Sequence, residues 1–169
     1  MTKRTNEIKF AGNYVTILGD AVKVGAKAEN FVALKNDLSV FNLSDLDGKI
    51  KVISVVPSVD TGVCALQTIR FNKEAGNLEN VHIITISVDL PFALGRFCGA
   101  NGIENSITLS DHKDLDFGTK YGFVVEELRL LTRGIVVIDK DNTIKHIEYV
   151  PEITEHPDYD KALEIVKSL

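Results

Sequence analysis

This chain of 169 residues predicts an α/β fold in which a central mixed β-sheet is flanked by helices on both faces. Three observations carry the prediction. Residues 49–56, KIKVISVV, and 81–89, VHIITISVD, are nearly continuous β-branched runs. Strands apolar on both faces are central strands, covered on both sides. A third run, GIVVIDK over 134–140, has the same character. Between the first two, a helix is predicted from about Val63 to Ala75, stopped by Gly76, which makes the pair a parallel β-α-β unit.

The remaining elements follow in order. Ile8 to Leu18 reads as a small hairpin around Ala11-Gly12-Asn13, and a second short pair lies near Phe31–Leu34 and Val40–Leu43. The polar stretch LSDLDGK is turn-rich, with Ser44 the expected cap of a short helical turn. Pro91 opens a short helix that ends by Gly99. The third strand turns through DKDN into TIKHIEYV (143–150), an alternating strand and hairpin partner. The last helix places Tyr159, Ala162, Leu163 and Val166 on one stripe. This order is the layout of a thioredoxin-like fold with an N-terminal β-hairpin extension. Without linker, repeat or low-complexity tract, residues 1–169 read as one domain. Fold alone assigns no activity.

Composition narrows the choices. With 24 acidic and 19 basic side chains the net charge is −5, which argues against a nucleic-acid binder. No run approaches the length of a membrane helix. The first 20 residues lack the continuous apolar core of a secretory signal, so a cytoplasmic protein is expected. Cys64 and Cys98 are not in C-x-x-C spacing, and no histidine stands in ligand spacing with either, so no metal is expected. What remains is two inert thiols or a pair that reacts.

The setting of Cys64 favours reaction. A thiolate, not a thiol, is the nucleophile. Cys64 falls in the opening turn of the predicted helix, where unpaired amides and the helix dipole favour an anion. Pro57 ends the strand, Gly62 lets backbone approach a small ligand, and Thr61 offers a hydroxyl three residues before the thiol. Singly, each has a plain reading: a strand stop, an N-cap, a packed side chain. Together they form Pro57-x3-Thr61-x2-Cys64 at a strand-to-helix junction. GRFCGANG, around Cys98, fits neither glycine-rich phosphate fingerprint.

These segments resemble the peroxiredoxins, and within them the thiol peroxidase subfamily of atypical two-cysteine type. SVVPSVDTGVC resembles the active-site loop, DLPFALGRFCGANG the second-cysteine segment, LLTRGIVVIDKDN the arginine-bearing strand and EITEHPDYDKAL the start of the C-terminal helix. Many relatives carry alanine-proline-aspartate-phenylalanine in an early loop, where this chain has Ala28-Glu29-Asn30-Phe31. The resemblance implies that Cys64 attacks the peroxide, Thr61 hydrogen-bonds thiolate and substrate, Pro57 shields the sulfur from water and Arg133 supports the reaction from a neighbouring strand. It implies further that Cys98 resolves the sulfenic acid as a Cys64–Cys98 disulfide, that thioredoxin reopens it, that no cofactor is used, and that the protein is a homodimer. On the residues alone, Arg133 paired with a surface carboxylate stays open.

The expected function is a thiol-specific peroxidase acting on hydrogen peroxide and organic hydroperoxides. A thiol-disulfide oxidoreductase is the alternative, opposed by the absence of C-x-x-C. A redox-sensing binding module using the same disulfide as a switch is another, and turnover separates it: a sensor reacts once and stops.

Overall fold

The computed structural model describes residues 1–75 and 77–169. The chain opens with a hairpin, β1 (Lys3–Phe10) and β2 (Asn13–Leu18), then a second, β3 (Val32–Leu34) and β4 (Val40–Asn42), and a 3-10 turn over Leu43–Leu46. There follow β5 (Ile50–Val55), α1 (Gly62–Ala75), β6 (Val81–Ser87), α2 (Pro91–Asn101) and β7 (Ser106–Ser110). After α3 (Asp116–Lys120) come β8 (Val124–Val125), β9 (Leu130–Leu131), β10 (Gly134–Ile138), β11 (Ile144–Tyr149) and α4 (Tyr159–Lys167). The main sheet runs β11-β10-β5-β6-β7-β3-β4, and a smaller sheet runs β1-β2-β8-β9. β5, β6 and β7 are parallel, whereas β10 and β11 add antiparallel. This is the mixed sheet of a thioredoxin-like fold.

Strand alternation divides the core into two layers. Val52, Ile83, Ile135 and Val137 point to one face, where Phe71 of α1 and Tyr159, Ala162, Leu163 and Val166 of α4 cover them. Ile53, Val55, Ile84, Ile86 and Leu109 point to the other, against Phe31, Phe117, Tyr121 and Phe123. Each fully buried side chain of this size contributes about 1.5–3 kcal/mol. The main strands therefore need apolar residues on both faces, which is why they read so clearly.

Several expectations are corrected. A third parallel strand, β7, follows α2, where the sequence suggested passage straight to the last hairpin. α1 begins at Gly62, one residue early; Gly76, its expected stop, lies outside the described residues. α2 continues through Gly99 to Asn101 and stops at Gly102, whose φ of +62° lets its amide fold back onto the Cys98 carbonyl. Asn42, not Ser44, precedes the 3-10 turn, its amide donating to Asp45 at 3.0 Å. The Ser44 amide instead donates to Asn30 Oδ1 at 2.9 Å.

Two loops are fixed by side chains from elsewhere in the fold. In Ala28-Glu29-Asn30-Phe31, the Tyr121 hydroxyl donates to the Glu29 carbonyl (2.6 Å) and Lys120 Nζ to that of Asn30 (2.9 Å), and Phe31 is fully buried. Side chains thus fix the turn where relatives use a proline. At the β1–β2 turn, Ala11 and Gly12 both have positive φ, and their amides donate to the Glu152 carboxylate at 3.0 Å. Lys9 pairs with the 151–153 segment on either side (2.8 and 2.9 Å), so the hairpin tip is docked beside Ile153.

Asp111 after β7 is 2 % exposed and accepts from the Phe117 and Gly118 amides (3.1 and 2.8 Å). Burial pushes its carboxyl up to about 7, against those amides. The native state therefore holds a proton that the unfolded chain releases above about pH 4. Stability from this group is present below that value and is lost as pH rises to about 7. The stability of wild type relative to Asp111→Asn should fall between about pH 4 and about pH 7 in thermal melts; a constant difference would contradict this account.

Candidate active site

β5 ends at Val55 and the chain turns through Pro57 and Val59, both buried, to the exposed Asp60, Thr61 and Gly62. Asp89, just past β6, holds this loop. Its carboxylate accepts from the Ser58 hydroxyl (2.7 Å), the Val59 amide (2.8 Å) and the Ser87 hydroxyl (2.8 Å). The Thr61 carbonyl accepts the Ala65 amide at 2.9 Å, so Thr61 is the N-cap and Cys64 the third residue of α1. Among the described residues, the amides of Gly62, Val63 and Cys64 find no acceptor. Open amides and the helix dipole place positive potential at this end of α1.

Cys64 is fully buried, packed with Val56, Val59 and Leu94 and flanked by Phe97. Its sulfur accepts a hydrogen bond from Arg133 Nη2 at 3.0 Å. The strand register brings that cation there. Gly134 pairs with Val55 in the antiparallel β5–β10 ladder, so the residue before it falls beside the β5–α1 loop. Glycine is required at 134 because a Cβ would collide with the Glu148 carbonyl and lie 2.7 Å from the Phe123 ring.

Arg133 is itself 2 % exposed. Its Nε donates to the Ile153 carbonyl (2.8 Å) and its Nη1 to Gln67 Oε1 (2.8 Å). Gln67 is in turn fixed by donating to Ser54 Oγ at 2.7 Å. Among the described residues no carboxylate pairs with Arg133, which excludes the surface ion pair. With these three contacts, two of the five guanidinium N–H groups remain without a partner among the described residues.

A cavity of about 230 Å³ reaches this guanidinium, lined by Phe10, Pro57, Thr61, Val63, Arg133 and Ile153. The site thus gathers three of the predicted residues, Cys64, Arg133 and Pro57. Thr61 stands at the rim, its hydroxyl donating to the Ser58 carbonyl at 3.2 Å and not to the sulfur. Cys98 is elsewhere on α2, half-buried, and both cysteines are free thiols. Among the described residues no three His, Cys, Asp or Glu side chains converge as a metal site would require.

Sequence reasoning missed Gln67, Ser54, Asp89 and Phe10. Gln67 carried a signal: with Cys64, Thr68 and Phe71 it lies on the buried stripe of α1, and a polar side chain on such a stripe has a partner to hold. Asp89 gave none, since it follows an apolar run and reads as a strand end.

Comparison with known proteins places the whole chain in a family. Residues 23–163 match the Redoxin family model. Thiol peroxidase from Halalkalibacterium halodurans is 55% identical over 161 residues, covering 95% of this chain and 97% of that protein. Thiol peroxidase from Bacillus subtilis is 51% identical over 163 residues, 96% and 98% of the two chains. The chain belongs to the peroxiredoxin family, thiol peroxidase branch. A crystal structure of a peroxiredoxin-like protein from Aquifex aeolicus superposes with a TM-score of 0.91 at 35% identity over 98% of both chains. The fold extends to a thiol peroxidase from Chromobacterium violaceum, TM-score 0.85 at 20% identity over 95% of each.

In this peroxiredoxin, Gln67 holds one edge of the buried guanidinium. Gln67→Ala strands Arg133 Nη1 and Ser54 Oγ in the interior, a loss of about 1–3 kcal/mol. The urea midpoint should fall accordingly, and peroxide reduction should slow as the guanidinium loses its fixed orientation. Unchanged stability and rate would remove Gln67 from the site.

Proposed function

We propose that Cys64 attacks the peroxide, that Cys98 resolves the product, and that Arg133, Thr61 and Pro57 organise the first step. The chain is a thiol peroxidase that reduces peroxides by cysteine oxidation. One observation carries the residue assignment: a buried guanidinium 3.0 Å from a buried sulfur, with no carboxylate partner among the described residues.

In the first step the Cys64 thiolate forms an S–O bond to one peroxide oxygen as the O–O bond breaks. The sulfur becomes a sulfenic acid, and the other oxygen leaves as alkoxide or hydroxide and takes a proton. Negative charge moves from sulfur to the leaving oxygen. Arg133 touches the sulfur and lines the cavity, so its two free N–H groups meet that charge without reorganising. Pro57 closes the site against water. The Thr61 hydroxyl, at the rim, turns from Ser58 to the incoming peroxide. Apolar Phe10, Val63 and Ile153 suit the carbon chain of an organic hydroperoxide, and the cavity also admits hydrogen peroxide.

In the second step the sulfenic acid and the Cys98 thiol condense to a Cys64–Cys98 disulfide with loss of water. A disulfide requires its Cα atoms within about 7 Å, whereas each thiol now has its own helix and partners. The cysteine-bearing ends of α1 and α2 therefore open in each cycle, helped in α2 by Gly95, Gly99 and Gly102. Thioredoxin reduces the disulfide, and the protein works as a cytoplasmic homodimer.

Peroxide-consumption assays with hydrogen peroxide and cumene hydroperoxide, joined to peptide mapping of the oxidised chain, test this. Cys64→Ser should abolish consumption, and Cys98→Ser should allow one turnover, then block recycling by thioredoxin. Arg133→Ala should slow the first step by roughly 10²–10³. Wild-type kinetics in Arg133→Ala would overturn its role.

A further inference from the structure

Cys98 is held by its own polar partners, away from the Cys64 site. Its sulfur lies 3.3 Å from Thr108 Oγ1 on β7 and 3.8 Å from Asn36 Nδ2 in the β3–β4 turn. Thr108 Oγ1 also donates to Asn36 Oδ1 at 3.0 Å. The directions of these bonds follow. An amide oxygen only accepts, so the Asn36 contact uses the single hydroxyl proton of Thr108. Thr108 can then only accept from Cys98, so the S–H donates to it. Asn36 Nδ2 closes the ring by donating to the sulfur. The ring is complete only while Cys98 carries its proton.

Thr108 belongs to the sheet and Asn36 to the turn that joins two of its strands, while Cys98 is in the last turn of a short helix. The neighbouring α2 residues Leu94 and Phe97 pack at Cys64 instead. A cavity of about 300 Å³ adjoins the ring, bounded by Asn36, Asp37, Cys98, Ile103 and Thr108. Withdrawal of Cys98 therefore breaks hydrogen bonds beside an existing space.

We propose that Asn36 and Thr108 are positioning residues for the second step: they hold Cys98 in reserve as a neutral thiol and set the rate of disulfide formation. This rests on Cys98 being the resolving thiol. The reaction condenses Cys64–SOH with Cys98–SH to give the S–S bond and water, and the proton held by Thr108 leaves with that water. The disulfide sulfur has no proton to give Thr108, so the ring stabilises the reduced form alone. Releasing it favours the disulfide and shortens the time that the Cys64 sulfenic acid is exposed to further oxidation.

The test is quenched-flow mapping after one equivalent of hydrogen peroxide, over-oxidation of Cys64 at excess peroxide, and the disulfide midpoint potential. Thr108→Val and Asn36→Ala should form the disulfide about three- to tenfold faster, the range of one modest hydrogen bond. Over-oxidation should decrease, and the potential should become more negative by up to about 30 mV, equivalent to tenfold in the two-electron equilibrium. Thr108→Ser, which keeps the hydroxyl, should behave as wild type. Asn36 is in a surface turn, so its variant tests the idea even if Thr108→Val folds poorly. Wild-type resolution in Thr108→Val and Asn36→Ala would overturn the proposal, as would Thr108→Ser departing as far as Thr108→Val. Failure of the underlying reading looks different: wild type itself would then give no Cys64–Cys98 disulfide.

Discussion

The hydrogen bond from Arg133 to the Cys64 sulfur is the contact on which the rest of the site depends. Burying a guanidinium is costly unless its donors are satisfied. Here the acceptors are a carbonyl, a side-chain amide and the sulfur, none a carboxylate. A carboxylate would neutralise the cation and compete with the thiolate for it. Neutral acceptors fix the geometry and leave the cation facing the sulfur. Arginine suits this better than lysine, because its planar fork holds several donors in fixed directions.

Each acceptor comes from a different part of the fold. β10 delivers the guanidinium by pairing with β5, and Gly134 permits β11 and the Phe123 ring to close over the strand. Gln67 comes from α1, three residues beyond Cys64, so one helix presents both the sulfur and the group that aims the cation at it. The Ile153 carbonyl follows β11, in the segment where the N-terminal hairpin docks through Lys9 and Glu152. The hairpin that reads as an appendage in the sequence thus steadies a ligand of Arg133 and contributes Phe10 to the cavity wall.

What the sequence disclosed follows from this division. β5, β6 and β10 are buried on both faces, and their apolar runs are unmistakable. The helix carrying Cys64 announces itself through Pro57, Thr61 and Gly62. β7, SITLS, is equally a parallel strand, but Ser106, Thr108 and Ser110 break its apolar pattern, and Thr108 and Ser110 hydrogen-bond to polar side chains. α3 is five residues long and β8 and β9 two each, too short for any periodicity. Arg133 is visible by family resemblance, yet its lack of a carboxylate is a three-dimensional fact. The roles of Gln67, Asp89 and Asn36 arise from contacts across 66, 30 and 62 positions of chain, which no local pattern records.

The two thiols are held by opposite means. Cys64 faces a permanent cation, which suits a thiolate. Cys98 sits in a ring of neutral groups that needs its proton. α2 connects the two environments, because Leu94 and Phe97 help seal Cys64 while Cys98 is tied to the sheet. Asp89 extends the connection to the other end of α2. It stands two residues before Pro91 and grips the Ser58–Val59 loop that leads to Cys64. Unwinding that frees Cys98 also loosens residues packed on Cys64, and movement of the Cys64 loop strips two of the three donors that Asp89 accepts. α2 and Asp89 thus link the two cysteine segments, and the disulfide proposed above would draw on both.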